Sequence, residues 1–389
     1  MTWQKVGVET LPWSPAPEMY SRRAVRNAPR EYRAAVVPFI GDEPLELADE
    51  TRALVEQATV QIVRFDATDA HRLIPFTPLL LRSESAASSR IEQLTSSARK
   101  VLEAEVTGRG KGNAALIAAN TRQMEQAVER ARASVDGIVD MHRILLAESA
   151  PDIAGKLREQ QVWIGGSDYS PSGAVFVPPR AESVEKLMAD LGRFMQRADI
   201  PALAHAAVAH AQFETIHPFA DGNGRTGRAL VHVMLKERCL TTSSALPISA
   251  GLLSDSTGYF AALDAYRDGD VDPIVQRFAR AAIEAVGRGS WLAEELEALR
   301  AEWEEALSAR ADALAWRVLE VVLQRPVLTT RAVSAEFGVS AETARNALER
   351  LEQDGLVVSA QLDKRQRAWR SPDVLAVLDE FAEMGGRRA

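Results

Sequence analysis

The chain has 389 residues, 46% of them hydrophobic and 26% charged, with a formal net charge of −8. Such composition is globular, with length for two or three domains, and the acidic balance argues against a protein that coats nucleic acid, though a local basic face is left open. A single cysteine, Cys239, rules out an intrachain disulfide and a cysteine-based zinc site.

The opening MTWQKVGVETLPW lacks a basic segment followed by an apolar one, so no signal peptide is expected. Apolar runs such as TPLLL near Leu79 fall short of a spanning helix. A cytoplasmic protein without a membrane anchor is the expectation. Pro12, Pro15, Pro17, Pro29 and Pro38 punctuate the first forty residues without a sustained period, which reads as an extended arm laid over a core. From Leu45 to Ala104 the pattern is helical, interrupted by HRLIPFTP. Residues 1–105 are read as an N-terminal arm and helical region. Within it, Ser89-Arg90-Ile91-Glu92 has the S-x-x-E spacing of a capping box at the start of a helix.

TGRGKGN then forms a loop, and helical periodicity resumes from Ala114 through Leu146. Residues 106–285 are read as the catalytic core. QVWIGGSDYSPSGAVFVPP sets Val162-Trp163-Ile164 against Ala174-Val175-Phe176-Val177, a hairpin over 161–179 closed by Pro178-Pro179. SVEKLMADLGRFMQRA, PALAHAAVAHAQFETI and RTGRALVHVMLKE return to helix. Residues 286–312, rich in Glu, Ala and Arg, read as a solvated linker helix. After it, AWRVLEVVLQ and TTRAVSAEFGVSAETARNALERLEQDGLV give helix, tight turn, helix, and VVSAQLDKRQRAWR alternates like a wing. Residues 313–372 are therefore read as a separate winged helix-turn-helix, with 373–389 a C-terminal helix and tail. Residues 311–389 hold eleven Lys/Arg and twelve Asp/Glu. Arg345 and Arg350 lie in the recognition helix, and Lys364, Arg365, Arg367 and Arg370 in the wing. Both DNA and a protein remain open as the partner. The fold class is mainly α.

HPFADGNGRTGR, from His217 to Arg228, carries the chemistry. Its Gly222, Gly224 and Gly227 fit GxGxxG, but the preceding AHAAVAHAQFET is helical, so the dinucleotide-fold reading fails, and no Gly-Lys-Ser/Thr supports a Walker loop. Pro218 pushes His217 out of the right-handed helical region and ends the helix near Ile216. The glycines permit positive φ and a nest of amides, and the helix that follows offers its free N–H groups to an anion. Arg225 and Arg228 share one face of its first turns. Asp221 is kept ionised by that positive charge and suits Mg²⁺ on phosphate oxygens. His217 is placed to accept a proton from a hydroxyl. His210, Glu214 and His217 have helical spacing that invites a zinc reading, but no third histidine or cysteine joins them. His71, His142, His205 and His232 read as packing or surface residues.

This stretch resembles, position by position, the HPFx(D/E)GNGRxxR signature of the Fic family. VWIGG…AVFVPP looks like the family's flap hairpin, and SSRIEQ, Ser88–Gln93, resembles its inhibitory motif (S/T)xxxE(G/N). The resemblance implies a helical core with one flap, and transfer of AMP from ATP to a Ser, Thr or Tyr hydroxyl of a target protein, the enzyme itself included. It implies His217 as general base, Asp221 as Mg²⁺ ligand, and the Gly222-Asn223-Gly224 amides with the Asn223 side chain as an anion hole. Arg225 would steady the phosphates, Arg228 would grip the γ-phosphate, and Phe219 would anchor the loop. Ser88 and Glu92, on a helix around 86–96, would inhibit by pairing Glu92 with Arg228. Gln93 departs from the family's Gly or Asn. Ile164, Gly165, Gly166, Val175, Phe176 and Val177 would dock a target segment as an added strand. The rival readings are a nucleotide-sensing transcriptional regulator and an enzyme that removes AMP or uses another phosphorylated donor. Oligomeric state is left open.

Overall fold

A computed structural model gives the fold and describes residues 3–14, 23, 29–68, 76–108, 112–130, 132–167, 170–241, 246–310, 313–361 and 367–385. His71, Lys364 and Arg365 lie outside them. The chain is mostly helical, with small antiparallel sheets. It divides into two compact units, Met1–Glu56 with Arg130–Arg238 and Thr257–Ala279, and Gln57–Glu129 with Cys239–Ser256 and Arg280–Ala389.

The first unit is built around α7 (Ala202–Ile216), in which every residue from Leu203 to Ile216 is buried. Its alanines keep the helix thin, so neighbours approach closely on all sides. α5 (Val135–Leu146), α6 (Ala181–Met195) and α8 (Asn223–Glu237) surround it, with α6 and α8 packed directly on α7. The polar groups of α7 find partners within the unit. His205 Nε2 bonds the Phe194 carbonyl at 2.8 Å, His210 Nε2 bonds the Tyr259 hydroxyl at 2.8 Å, and Gln212 Nε2 donates to the Pro38 carbonyl at 2.9 Å.

The N-terminal region is more than an extended arm. β1 (Gly7–Pro12) and β2 (Glu31–Val36) pair antiparallel, with Gly7 opposite Val36. The alternation of EYRAAV buries Tyr32 and Ala34, and a two-stranded ribbon needs such support to persist. It comes from Val177, Leu11, Trp13, Trp163 and Ala174, packed around those two residues.

In the second unit α2 (Thr77–Ile91) lies against α9 (Ile248–Ser254). Glu84, fully buried on α2, accepts hydrogen bonds from the Ser249 amide and hydroxyl. α3 (Ala98–Thr107) and α4 (Asn113–Arg130) follow. The resemblance and the capping spacing both expect a helix around Ser88–Glu92, but α2 ends there. Glu92 is its C-cap, Gln93 takes φ +61°, and the amides of Gln93 and Leu94 bond the carbonyls of Arg90 and Ser89 at 2.9 and 3.0 Å. That pair of bonds is a Schellman motif, with Gln93 in the left-handed position glycine usually fills. The capping-box reading is therefore corrected, since the motif closes a helix.

The expected linker helix is the rear of a 35-residue helix, which we number with its neighbour: α10 (Ser256–Arg267) precedes α11 (Asp272–Ala306). Leu292, Ala293, Leu296 and Trp303 of α11 are buried, so this part is not simply solvated. Beyond it come α12 (Leu314–Gln324), β3 (Val327–Thr329), α13 (Thr330–Phe337), α14 (Ala341–Gln353), β4 (Val358–Gln361), β5 (Arg367–Arg370) and α15 (Pro372–Met384). The sheet order β3-β5-β4 and the turn at Gly338, φ +64°, make the winged helix-turn-helix. α15 packs on α2 and α3, β3 packs on α3, and Trp369 buries the base of the wing.

Candidate active site

The loop from His217 to Gly222 joins α7 to α8, and its shape is over-determined. His217 caps α7 in the left-handed region at φ +50° and ψ +61°, a costly conformation for a residue with a side chain. Arg158 holds it there. The buried Arg158 guanidinium donates to the carbonyls of His217 at 2.8 Å and Ile216 at 3.4 Å, and also to Pro179 at the end of the flap. The Arg158 backbone amide adds a bond to the Pro218 carbonyl at 2.9 Å. One cation thus replaces the carbonyl partners that a helix end otherwise lacks.

Two further residues lock the loop from its other side. Asn223, 2% exposed, accepts from the Phe219 amide and donates to the Phe219 carbonyl, both at 2.9 Å. Its side chain thereby makes two bonds to the loop backbone. His142 stacks on the fully buried Phe219 ring at 3.7 Å, nearly coplanar. Its Nδ1 accepts from the Gly155 amide and its Nε2 lies 2.9 Å from the Asp221 carbonyl, so the hydrogen sits on Nε2. Burial pushes this imidazole down to about 4, in keeping with a neutral tautomer.

Gly222, at φ +77°, is the N-cap of α8, and no side chain caps the helix. A Cβ there would press to 3.0 Å from Leu145. Gly224 does not share the positive φ expected of it, because it is already helical. Gly227 serves packing: a Cβ would meet Glu214 Oε1 at 2.8 Å and Phe213 at 2.9 Å where α8 crosses α7. The start of α8 therefore presents amides and a positive dipole end, flanked by the buried Arg225 and Arg228, each 3% exposed. The Asp221 side chain is 61% exposed, lies 3.6 Å from Arg225 Nη2 and accepts from the Gly222 amide.

The His217 ring is in a sharply different setting from Asp221. Burial, helped by the Arg158 and Arg267 cations, pushes it down to about 3. Its Nδ1 is 4.0 Å from the Glu214 carboxylate, which is itself buried. The imidazole is neutral across the physiological range, the state a proton acceptor needs. Arg267, held by Asp264 at 2.9 Å, also covers the Phe176 ring of the flap at 3.7 Å.

The flap is narrower than its sequence promises. Ile164 and Phe176 form a single antiparallel bridge, the Ile164 amide bonding the Phe176 carbonyl at 2.9 Å and the Val175 amide returning to Ile164 at 2.8 Å. Gly165 and Gly166, at φ +71° and +81°, turn the chain away before a ladder can extend. Val175 is 78% exposed and Ile164 is partly so. Val177 instead accepts from the Ala35 amide at 3.0 Å, which ties the flap to β2.

Arg158, His142 and Arg267 were not legible as site residues. Each acts through backbone carbonyls, a ring face or a long-range charge, none of which leaves a periodicity or a spacing. Ser88 and Glu92 belong to the second unit and the His217–Arg228 loop to the first.

The sequence and the fold resemble those of known proteins. Residues 132–235 match the model of the Fic/DOC family, and residues 312–358 match that of a winged helix-turn-helix described as DNA-binding. It is 32% identical over 151 residues to the protein adenylyltransferase Fic of Nematostella vectensis, covering 38% of this chain and 32% of that protein. It is 31% identical over 150 residues to protein adenylyltransferase fic-1 of Caenorhabditis briggsae, covering 38% and 27%. The chain thus spans about a third of the length of the curated relatives it matches. Its fold resembles that of a Fic family protein from Desulfovibrio desulfuricans, with a TM-score of 0.56 at 24% identity over 84% of this chain and 97% of the other. No helix among the described residues is long and apolar enough to cross a membrane.

Proposed function

We propose that this chain is a protein adenylyltransferase that transfers AMP from ATP to a Ser, Thr or Tyr hydroxyl of a target protein, itself included. The observation that carries the reading is the juxtaposition of a neutral, sheltered His217 with an uncapped helix start flanked by Arg225 and Arg228. In this reading the amides of Gly222, Asn223 and Gly224 with Arg225 receive the α- and β-phosphates, and Arg228 receives the γ-phosphate. Little covalent chemistry then falls to the protein, and catalysis is positioning with charge stabilisation. His217 takes the hydroxyl proton. The exposed Asp221 carboxylate fits an oxygen-preferring Mg²⁺, which would neutralise charge on the phosphates.

The flap residues Ile164, Gly165, Gly166, Val175, Phe176 and Val177 are proposed to hold the target segment beside the base. Ser88 and Glu92 are proposed to restrain the reaction, Glu92 competing with the γ-phosphate for Arg228. The winged helix is proposed to hold a second macromolecule, DNA or protein. Labelled ATP with Mg²⁺ tests the central claim. Label should appear on the protein, rise in Glu92→Gly and vanish in His217→Ala while ATP binding persists. ATP binding without any transfer, in Glu92→Gly as in the native chain, would favour a nucleotide sensor instead.

A further inference from the structure

Beside the proposed restraint, in the second unit, a cavity of about 400 Å³ opens among α2, α3, α9 and α15. Protein interiors seldom leave voids much larger than a water, and this volume is on the scale of small-molecule sites. Ser83, Ala86, Ala87 and Arg90 reach it from α2. Their spacing of three and four places them on one stripe of that helix. The facing walls are apolar, with Leu102, Leu253, Leu378 and Phe381. Asn120 Nδ2 donates to the Ser85 carbonyl at 2.8 Å and the Ser89 hydroxyl at 3.1 Å, and neither serine lines the cavity. Thr95, Ser96 and Ser97, just beyond the left-handed Gln93, complete the rim.

The charges at this cavity are unequal. Arg82 is paired with Glu105 at 2.8 Å, and Asp379 accepts from the Ala98 amide at 3.3 Å. Arg90 donates to the Ala382 carbonyl, a neutral group, and has no carboxylate partner among the described residues. A half-buried guanidinium beside apolar walls is matched by an anion carried on an apolar body.

We propose that this cavity is a regulatory site for a small amphiphilic monoanion, its carboxylate on Arg90 and its apolar body against Leu102, Leu253 and Phe381. A ligand there bears on α2, the helix that Glu92 caps, and so changes how that residue is presented. The site stands on the cavity; its regulatory effect rests on the reading of Glu92 as a restraint.

Binding is tested on the full-length chain, without nucleotide, by calorimetry with octanoate, octanol and octylammonium. Octanoate should saturate one site and bind more tightly than octanol, and octylammonium should not bind. Arg90→Gln should weaken octanoate about tenfold, the usual scale for a lost charge-assisted bond, and leave octanol unchanged. Ala86→Trp should exclude both; if that variant misfolds, Leu253→Phe gives a second way to fill the cavity. Octanoate binding that is absent, matched by octylammonium or indifferent to Arg90→Gln overturns the site. Octanoate should then alter self-modification several-fold in the native chain and not in Glu92→Gly. An unchanged rate at saturation overturns the regulatory role alone, and absence of AMP transfer in every variant overturns the catalytic reading while the binding result stands.

Discussion

At the scale of single residues, His217 and Gln93 show what a backbone conformation can do. Both hold left-handed φ values without being glycine. At His217 the strain is sustained by Arg158, and it sets the ring, 17% exposed, within the influence of the Arg158 and Arg267 cations. An imidazole whose proton affinity is pushed down to about 3 is unprotonated at every pH above that value. The acid limb of kcat/KM, which reports the free enzyme, should therefore be missing between about pH 5 and 8. Measuring nucleotide affinity in parallel separates the titration of ATP itself; a limb near the ordinary imidazole value would contradict the assignment. At Gln93 the left-handed strain has no such use. Gln93→Gly should remove about 1–2 kcal/mol of strain against about 0.5–1 kcal/mol of added chain entropy. A net gain of about 0.5–1 kcal/mol in urea unfolding is expected, and a loss would show that the Gln93 side chain supports the motif.

At the scale of elements, the site is the end of one helix, the start of another, and a cation between them. α7 stops because Pro218 follows it, and α8 starts because Gly222 can turn. Arg158 spans the carbonyls of Ile216, His217 and Pro179, so His217 and the flap share one support. Arg158→Lys keeps the charge but not the fork. It should lower kcat more than it raises KM for ATP, because the proposed nucleotide cradle lies on α8. Arg158→Met should in addition move the acid limb of kcat/KM upward, since one of the cations that depress His217 is gone. An effect confined to KM for ATP would show that Arg158 serves the cradle instead.

At the scale of the whole molecule, four histidines of the first unit sit in settings that hold them neutral, His142, His205 and His210 fully buried and His217 with its side chain 17% exposed. His142 is pushed down to about 4, His210 and His217 to about 3, and His205 is lowered by burial as well. The unfolded chain binds protons at these sites near the ordinary value of about 6.5, while the folded chain does not. Their contribution to stability is therefore complete above that pH and is lost as pH falls below it. Thermal melts should show Tm dropping steeply from about pH 6.5 to 4.5, and a His142→Gln variant should flatten that slope. In the second unit the winged helix is part of the packing around α2 and α3. Truncation before Leu314 should accordingly speed amide exchange in Thr77–Ile91 and Ala98–Thr107. Unchanged exchange there would mean that the module is detachable after all.

The sequence by itself determined the helical class, the winged C-terminal fold and the break between two helices at His217 and Gly222. Those features rest on local causes: hydrophobic period, a proline after a histidine, glycines where the backbone must turn. It also placed a flap before Pro178-Pro179, though not its reduction to isolated bridges among the described residues. Tertiary structure alone decided the rest. The Ser88–Gln93 motif closes a helix instead of opening one, because S-x-x-E is the same string at either end and only the packed chain fixes which carbonyls are free. Asn223 faces inward because Phe219 offers it both a donor and an acceptor. Arg158, His142 and Arg267 join the site across stretches of chain that no spacing rule connects, since a buried cation and a stacked ring are recruited by proximity in space.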